Sequence, residues 1–181
     1  MLRRTIVIAL CCAGLPVFAQ KAASTTKPAT THETTADKTF MNRAAEGGVA
    51  EVKLGQLAQE KASNQAVKDF GQRMATDHQK ANDQLKSLAS SKNVTLPDSM
   101  SAKDQVLYNR LSKLSGDQFD REYMRAMVQD HKTDVNEFRR ETERAKDPDV
   151  RAFASGTLPV LEHHLQLAEQ TSGQVGATAK K

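Results

Sequence analysis

Apolar residues recur along this chain at steps of three and four, and no long run of them alternates at period two. That spacing lines one face of an α-helix, so the pattern predicts helix almost throughout. Four long stretches carry it. The first runs from about Lys38 to Ala62, with Phe40, Ala44, Gly47, Glu51, Leu54 and Ala58 along one stripe. Ser63 and Asn64 then supply a cap. The second stretch continues to about Ser91, with Val67, Phe70, Met74, His78, Ala81, Leu85 and Leu88 inward. "NVTLPDSM" interrupts the pattern, and a shorter helix from about Ser101 to Leu114 follows.

The third long helix begins at Asp117, after Gly116, and its stripe is Phe119, Tyr123, Met127, His131, Val135 and Phe138. "KDPDV" opens the fourth, with Asp147 as cap and Pro148 in the first helical position, where its missing N–H has no partner to lose. Val150, Phe153, Thr157, Leu161, His164 and Ala168 face inward along it. Pro159 lies inside this helix and predicts a kink near Gly156.

Short turns join the first helix to the second and the third to the fourth, while a long connection separates the two pairs. The chain therefore predicts an all-α fold: an antiparallel, ferritin-like four-helix bundle with a short extra helix in the long connection. "NQAVKDF" at one short turn and "DPDVRAF" at the other suggest two related hairpins.

The ends of the chain change the picture of where it works. "MLRRTIVIALCCAGLPVFAQ" has two arginines, an apolar run too short to cross a bilayer, and a Val17-Phe18-Ala19 cleavage pattern. Residues 1–19 read as a secretory signal peptide cleaved near Ala19, which gives a periplasmic or secreted address. Residues 20–37, rich in Thr and Ala, read as a disordered tether, 38–172 as the bundle, and 173–181 as a disordered tail. No later segment is apolar enough for a transmembrane helix in the mature chain.

Both cysteines, Cys11 and Cys12, fall in the signal. Thiolate catalysis, Cys-based zinc sites and disulfides are thereby excluded from the mature protein. Removal of Arg3 and Arg4 leaves 24 basic against 22 acidic residues, interleaved as in "EFRRETERAKD". This charge pattern offers no stripe for nucleic acid. No serine stands in a glycine-flanked elbow, and the chain reads as a non-enzyme.

One repeated motif remains. "MATDH" ends at His78 and "MVQDH" ends at His131, with Phe70 and Tyr123 four residues before each Met. Both histidines lie on apolar stripes; Glu51 and His164 occupy the same kind of position on the first and fourth long helices. At a rise of about 1.5 Å per residue, all four fall near mid-height of the bundle. Two readings stay open. One is a hydrogen-bonded network in which a Glu–His pair and histidine–carbonyl bonds satisfy one another. The other is a metal site formed by Glu51, His78, His131 and His164, holding one zinc, copper or iron ion. A di-iron oxygenase site would need paired Glu-x-x-His motifs, but Ala75 stands three before His78, and Val160 and Leu161 stand three before His163 and His164. The methionines read as core filler, Asp77 and Asp130 as solvated or paired with Lys or Arg, His163 as exposed, and His32 as incidental.

The segments "AAEGGVAEVKLGQLAQEKASNQAVKDFGQRMATDHQKANDQL", "FDREYMRAMVQDHKTDVNEF" and "DPDVRAFASGTLPVLEHHLQLA" resemble a bacterial family of exported domains of unknown function with a ferritin-like fold. Its members often carry an outer-membrane label. The resemblance spans about Phe40 to Glu169 and places the family's histidine of the last segment on His164. It implies the bundle and export, and no established activity. Two functional classes follow: a non-enzymatic envelope protein that binds an unknown envelope partner or supports stress tolerance, or a periplasmic metal-binding bundle.

Overall fold

A computed structural model describes residues 34–177, and the proposed signal peptide, His32 and most of the tether lie outside them. Five helices make up this region: α1 (Thr35–Lys61), α2 (Gln65–Ser91), α3 (Ala102–Leu111), α4 (Gly116–Arg144) and α5 (Pro148–Gln174). No strand occurs among the described residues. None of the helices is long and apolar enough to cross a membrane.

Helix α1 packs along α2 and α4 along α5, and the two hairpins close through α2 against α5 and α1 against α4. Helix α3 lies across α1 and α4. The cross-hairpin hydrogen bonds fix the directions. Buried Asp120, in the first turns of α4, accepts from the Ser63 and Asn64 amides at 3.2 and 2.9 Å, and from Ser63 Oγ at 2.6 Å. The start of α4 is thus pinned to the α1–α2 turn. Buried Asp37, in the first turn of α1, accepts from the Lys146 and Asp147 amides at 3.1 and 3.4 Å. Each hairpin therefore carries a carboxylate that grips the other hairpin's turn. Helices α2 and α4 start at the same end of the bundle, and the α3 connection carries the chain back along its length. At the opposite end, Lys92 after α2 bonds Asp147 and Asp149 at 2.6 and 2.9 Å.

Helix α1 begins earlier than the sequence pattern predicted. Thr34 and Asp37 form a capping box: the Asp37 amide donates to Thr34 Oγ1, and the Thr34 amide donates to Asp37 Oδ2. This polar signal starts α1 at Thr35, inside the stretch read as tether, because capping needs no apolar residue. At the other end α5 continues to Gln174, and Ala177 is buried against the core, inside the stretch read as tail. Helix α5 runs unbroken through Pro159.

Backbone contact is tightest between α1 and α2. A Cβ at Gly55 would lie 2.4 Å from the Gly71 carbonyl oxygen, so glycine is what lets these two helices approach. The apolar core falls into two clusters, one toward each end. One contains Leu54, Leu57, Phe70, Met74, Tyr123 and Met127. The other contains Phe40, Met41, Leu85, Val135, Phe138 and Leu161. Along α1, α2 and α4, the buried residues between the two clusters include in turn Glu51, His78 and His131. On α5, His164 falls between Leu161 and Ala168. A polar layer crosses the middle of the molecule.

Candidate metal centre

Each member of that layer is placed by its helix's apolar stripe. Phe70, Met74 and His78 step by four along α2, as Tyr123, Met127 and His131 do along α4. Packing the aromatic and Met residues into the core carries each histidine inward. The sequence reads the stripe correctly here.

The three histidines meet. One ring nitrogen from each of His78, His131 and His164 lies within 4.8 Å of the others. Their ring centroids are 5.8, 5.4 and 5.5 Å apart. All three are buried, and Phe70 closes one side with its ring 6.4 Å from that of His131. Burial and the neighbouring imidazoles hold His78 well below the ordinary histidine range. Burial takes His131 down to about 4. Burial also lowers His164, against the pull of Asp77. All three rings are therefore neutral at pH 7.

The hydrogen bonds assign the tautomers. His131 Nδ1 donates to the Met127 carbonyl at 3.0 Å, which leaves the Nε2 lone pair free. His164 Nε2 donates to Asp77 Oδ2 at 2.9 Å, which leaves Nδ1 free. His131 Nε2, His164 Nδ1 and His78 Nε2 are all buried without a hydrogen-bond partner among the described residues. One ring nitrogen from each of three helices thus comes together in a buried layer, and each ring keeps one buried nitrogen without a partner among the described residues. An imidazole oriented by a carboxylate or carbonyl on its other nitrogen is the arrangement that metal-bound histidines adopt.

Glu51 stands in the same layer on α1 and is fully buried, yet it is not a member of the three-nitrogen group. Both its oxygens are without a hydrogen-bond partner among the described residues. Burial pushes its carboxyl well above the usual range, and the neighbouring acids Asp130 and Asp134 push it further. The buried Tyr123 hydroxyl, also unpartnered, is raised by burial and then by Glu51. The Glu–His pairing open to the sequence does not form among these residues. Of the network it would have made, the histidine–carbonyl bond of His131 is present.

Asp77 is the residue that sequence reasoning missed. Expected to be solvated or paired with Lys or Arg, it reaches from α2 to His164 on α5 instead, with its side chain one-third exposed. The signal was the Asp-His doublet itself: the position beside an inward histidine lies at the interface edge, within reach of the neighbouring helix. The matching Asp130 lies 3.9 Å from Lys103, as such an edge acid was expected to. His163 is exposed, one position round from His164.

A family model described as a domain of unknown function, DUF4142, matches residues 20–171. The chain belongs to that family. No curated protein sequence matches it. Among solved structures, a DUF305 fragment from Deinococcus radiodurans is 15% identical, with a TM-score of 0.70, over 78% of this chain and 98% of that one. A Streptomyces coelicolor protein described as "putative secreted protein DUF305" is also 15% identical, with a TM-score of 0.68, over 81% of this chain and 96% of that one. At that identity the likeness speaks for the fold: an all-helical bundle shared between the two families. No reaction is assigned by any of these relatives.

Proposed function

We propose that this protein is a non-enzymatic metal-binding bundle, exported to the periplasm, in which His78, His131 and His164 hold one zinc or copper ion. The observation that carries this reading is the set of three buried, neutral imidazoles, each bringing one ring nitrogen within 4.8 Å of the others and each keeping one buried nitrogen unpartnered among the described residues. Leaving one buried acceptor without a donor costs about 1–3 kcal/mol. Three such groups in one layer are explained by a ligand that accepts lone pairs. Imidazole suits zinc, copper, iron and nickel, and the absence of a paired-carboxylate set speaks against oxygen chemistry at two irons. A tetrahedral ion with bonds of about 2.0–2.1 Å needs its nitrogens about 3.3 Å apart. The nitrogens already lie within 4.8 Å of one another, so they have to close by at most about 1.5 Å. Glu51, buried in the same layer on the remaining helix, is the carboxylate best placed to offset the ion's charge or take the fourth position.

Export rests on the signal-like first 19 residues, and the likeness to a protein described as secreted is compatible with it. The envelope or stress role has no residue-level support beyond that address.

Elemental analysis of untagged protein, paired with thermal melts, tests the reading. The expected result is one zinc or copper per chain, and a melting temperature that rises with added metal by mass action on the folded state. His78→Ala and His131→Ala should each abolish the rise, whereas His32→Ala should leave it intact. No uptake after equilibration with either metal would return the function to a bundle that binds only other macromolecules.

A further inference from the structure

A small cavity enclosed by α1, α4 and α5 reaches the histidine cluster from one side. Its volume is about 40 Å³, and Arg43, Gly47, Gly48, Asp134 and Glu137 line it together with His78 of α2. We infer that this cavity is the route by which cations load the three-histidine centre, with Glu137 and Asp134 as transit ligands and Arg43 as a movable cover. The inference rests on the metal reading above and adds how the site is reached.

Five observations carry it. His78 is the least buried of the three histidines, at 7% exposure against 0% and 1%, and it alone lines the cavity. The volume holds a few waters, so a partly hydrated ion fits where a larger solute does not. The walls offer two carboxylates, ligands suited to an incoming cation. The only cation among the lining residues is Arg43, whose Nη1 stands 3.6 Å from Glu137 Oε1. That pair is loose and its arginine is 65% exposed, so swinging it aside costs little. The space exists because α1 presents glycine there: a Cβ on Gly47 would meet nothing within 4 Å.

A second approach exists on the α2–α5 side, a groove of about 420 Å³ that carries Arg73, Asp77, Lys80 and His163. It ends at Asp77, on the outer nitrogen of His164, and touches none of the three clustered rings. Arg73 and Lys80 give it the wrong charge for a cation.

Stopped-flow mixing of metal-free protein with Co²⁺, read by visible absorption, tests the route. Gly47→Leu fills the cavity and should slow uptake by about tenfold or more, with release slowed equally, so that equilibrium affinity and stoichiometry are unchanged. Glu137→Gln, a change at the rim that leaves the fold intact, should slow uptake, and Arg43→Gln should speed it. Gly47→Ala and Ala81→Leu, the latter filling the α2–α5 groove, should load as the wild type does. Wild-type rates in both Gly47→Leu and Glu137→Gln, or slowing by Ala81→Leu instead, overturn the route while leaving the metal site standing. Loss of affinity in Gly47→Leu in step with its rate overturns it too, as that change would have deformed the site. Failure of the wild type to take up Co²⁺ at equilibrium removes the metal reading, and the route with it.

Discussion

Asp77 holds His164 by its Nε2–H, which leaves Nδ1 as the ring's free nitrogen. Removing such an orienting partner from a metal-bound histidine typically weakens binding 10–100-fold. Asp77→Asn should accordingly lower zinc affinity by about that factor while the metal-free melting temperature moves little, because the side chain is partly exposed. Competition with a chromophoric chelator measures it; an unchanged affinity would mean that Asp77 is a surface pair only. The buried titrating groups give a second residue-scale expectation. Each clustered histidine is held neutral in the fold but protonates near 6.5 once unfolded. From about 6.5 down to about 4, where His131 protonates in place, the unfolded chain binds more protons. The metal-free fold therefore loses stability as pH falls through that window. Glu51 and Asp134 act with the opposite sign, since their raised carboxyls contribute stability at low pH that is lost as pH rises. Glu51→Gln removes the stronger-buried opponent, and its melting temperature should fall clearly between pH 6.5 and 4. A flat profile there would contradict neutral buried imidazoles.

At the scale of elements, the bundle is fastened at its ends by carboxylates that cap one hairpin against the other. Asp120 takes two amides and a hydroxyl from the α1–α2 turn; without it the two amides lose their acceptor, while Ser63 Oγ keeps Asp117. Asp120→Ala should cost on the order of 2–3 kcal/mol, since bonds to a charged acceptor are worth about 1.5–3 kcal/mol. Denaturant unfolding with an unchanged slope would read that loss; a cost below about 0.5 kcal/mol, the scale of ordinary surface changes, would show the turns to be held by packing alone. The sequence carried the helices themselves, because apolar stripes declare their period. It did not carry these clamps. Nothing local in "GDQFDRE" says that its second acid faces a turn some 56 residues earlier. The Thr34–Asp37 box was local and legible in principle, but its polar letters were absorbed into a polar tether.

For the whole molecule, the order of the helices makes a layered object: two apolar clusters with one polar layer between them. The height of Glu51, His78, His131 and His164 was legible from counting residues to the turns, since rise per residue is fixed. Their convergence was expected from the shared stripe position, and the three histidines do converge; which of the four would stand apart was not legible, because the lateral arrangement across the core depends on packing that no stripe encodes. That is why the three histidines are joined and Glu51 stands beside them among acids. It is also why Asp77, the cross-helix partner, went unread. The central claim is that this layer is a place for one metal ion, and X-ray absorption at the zinc edge of zinc-loaded protein tests it most directly. The account predicts a first shell with three imidazole nitrogens at about 2.0–2.1 Å, lost in a chain carrying His78→Ala, His131→Ala and His164→Ala. A shell of sulfur or of carboxylate oxygen alone, or a spectrum unchanged by those three substitutions, would contradict it.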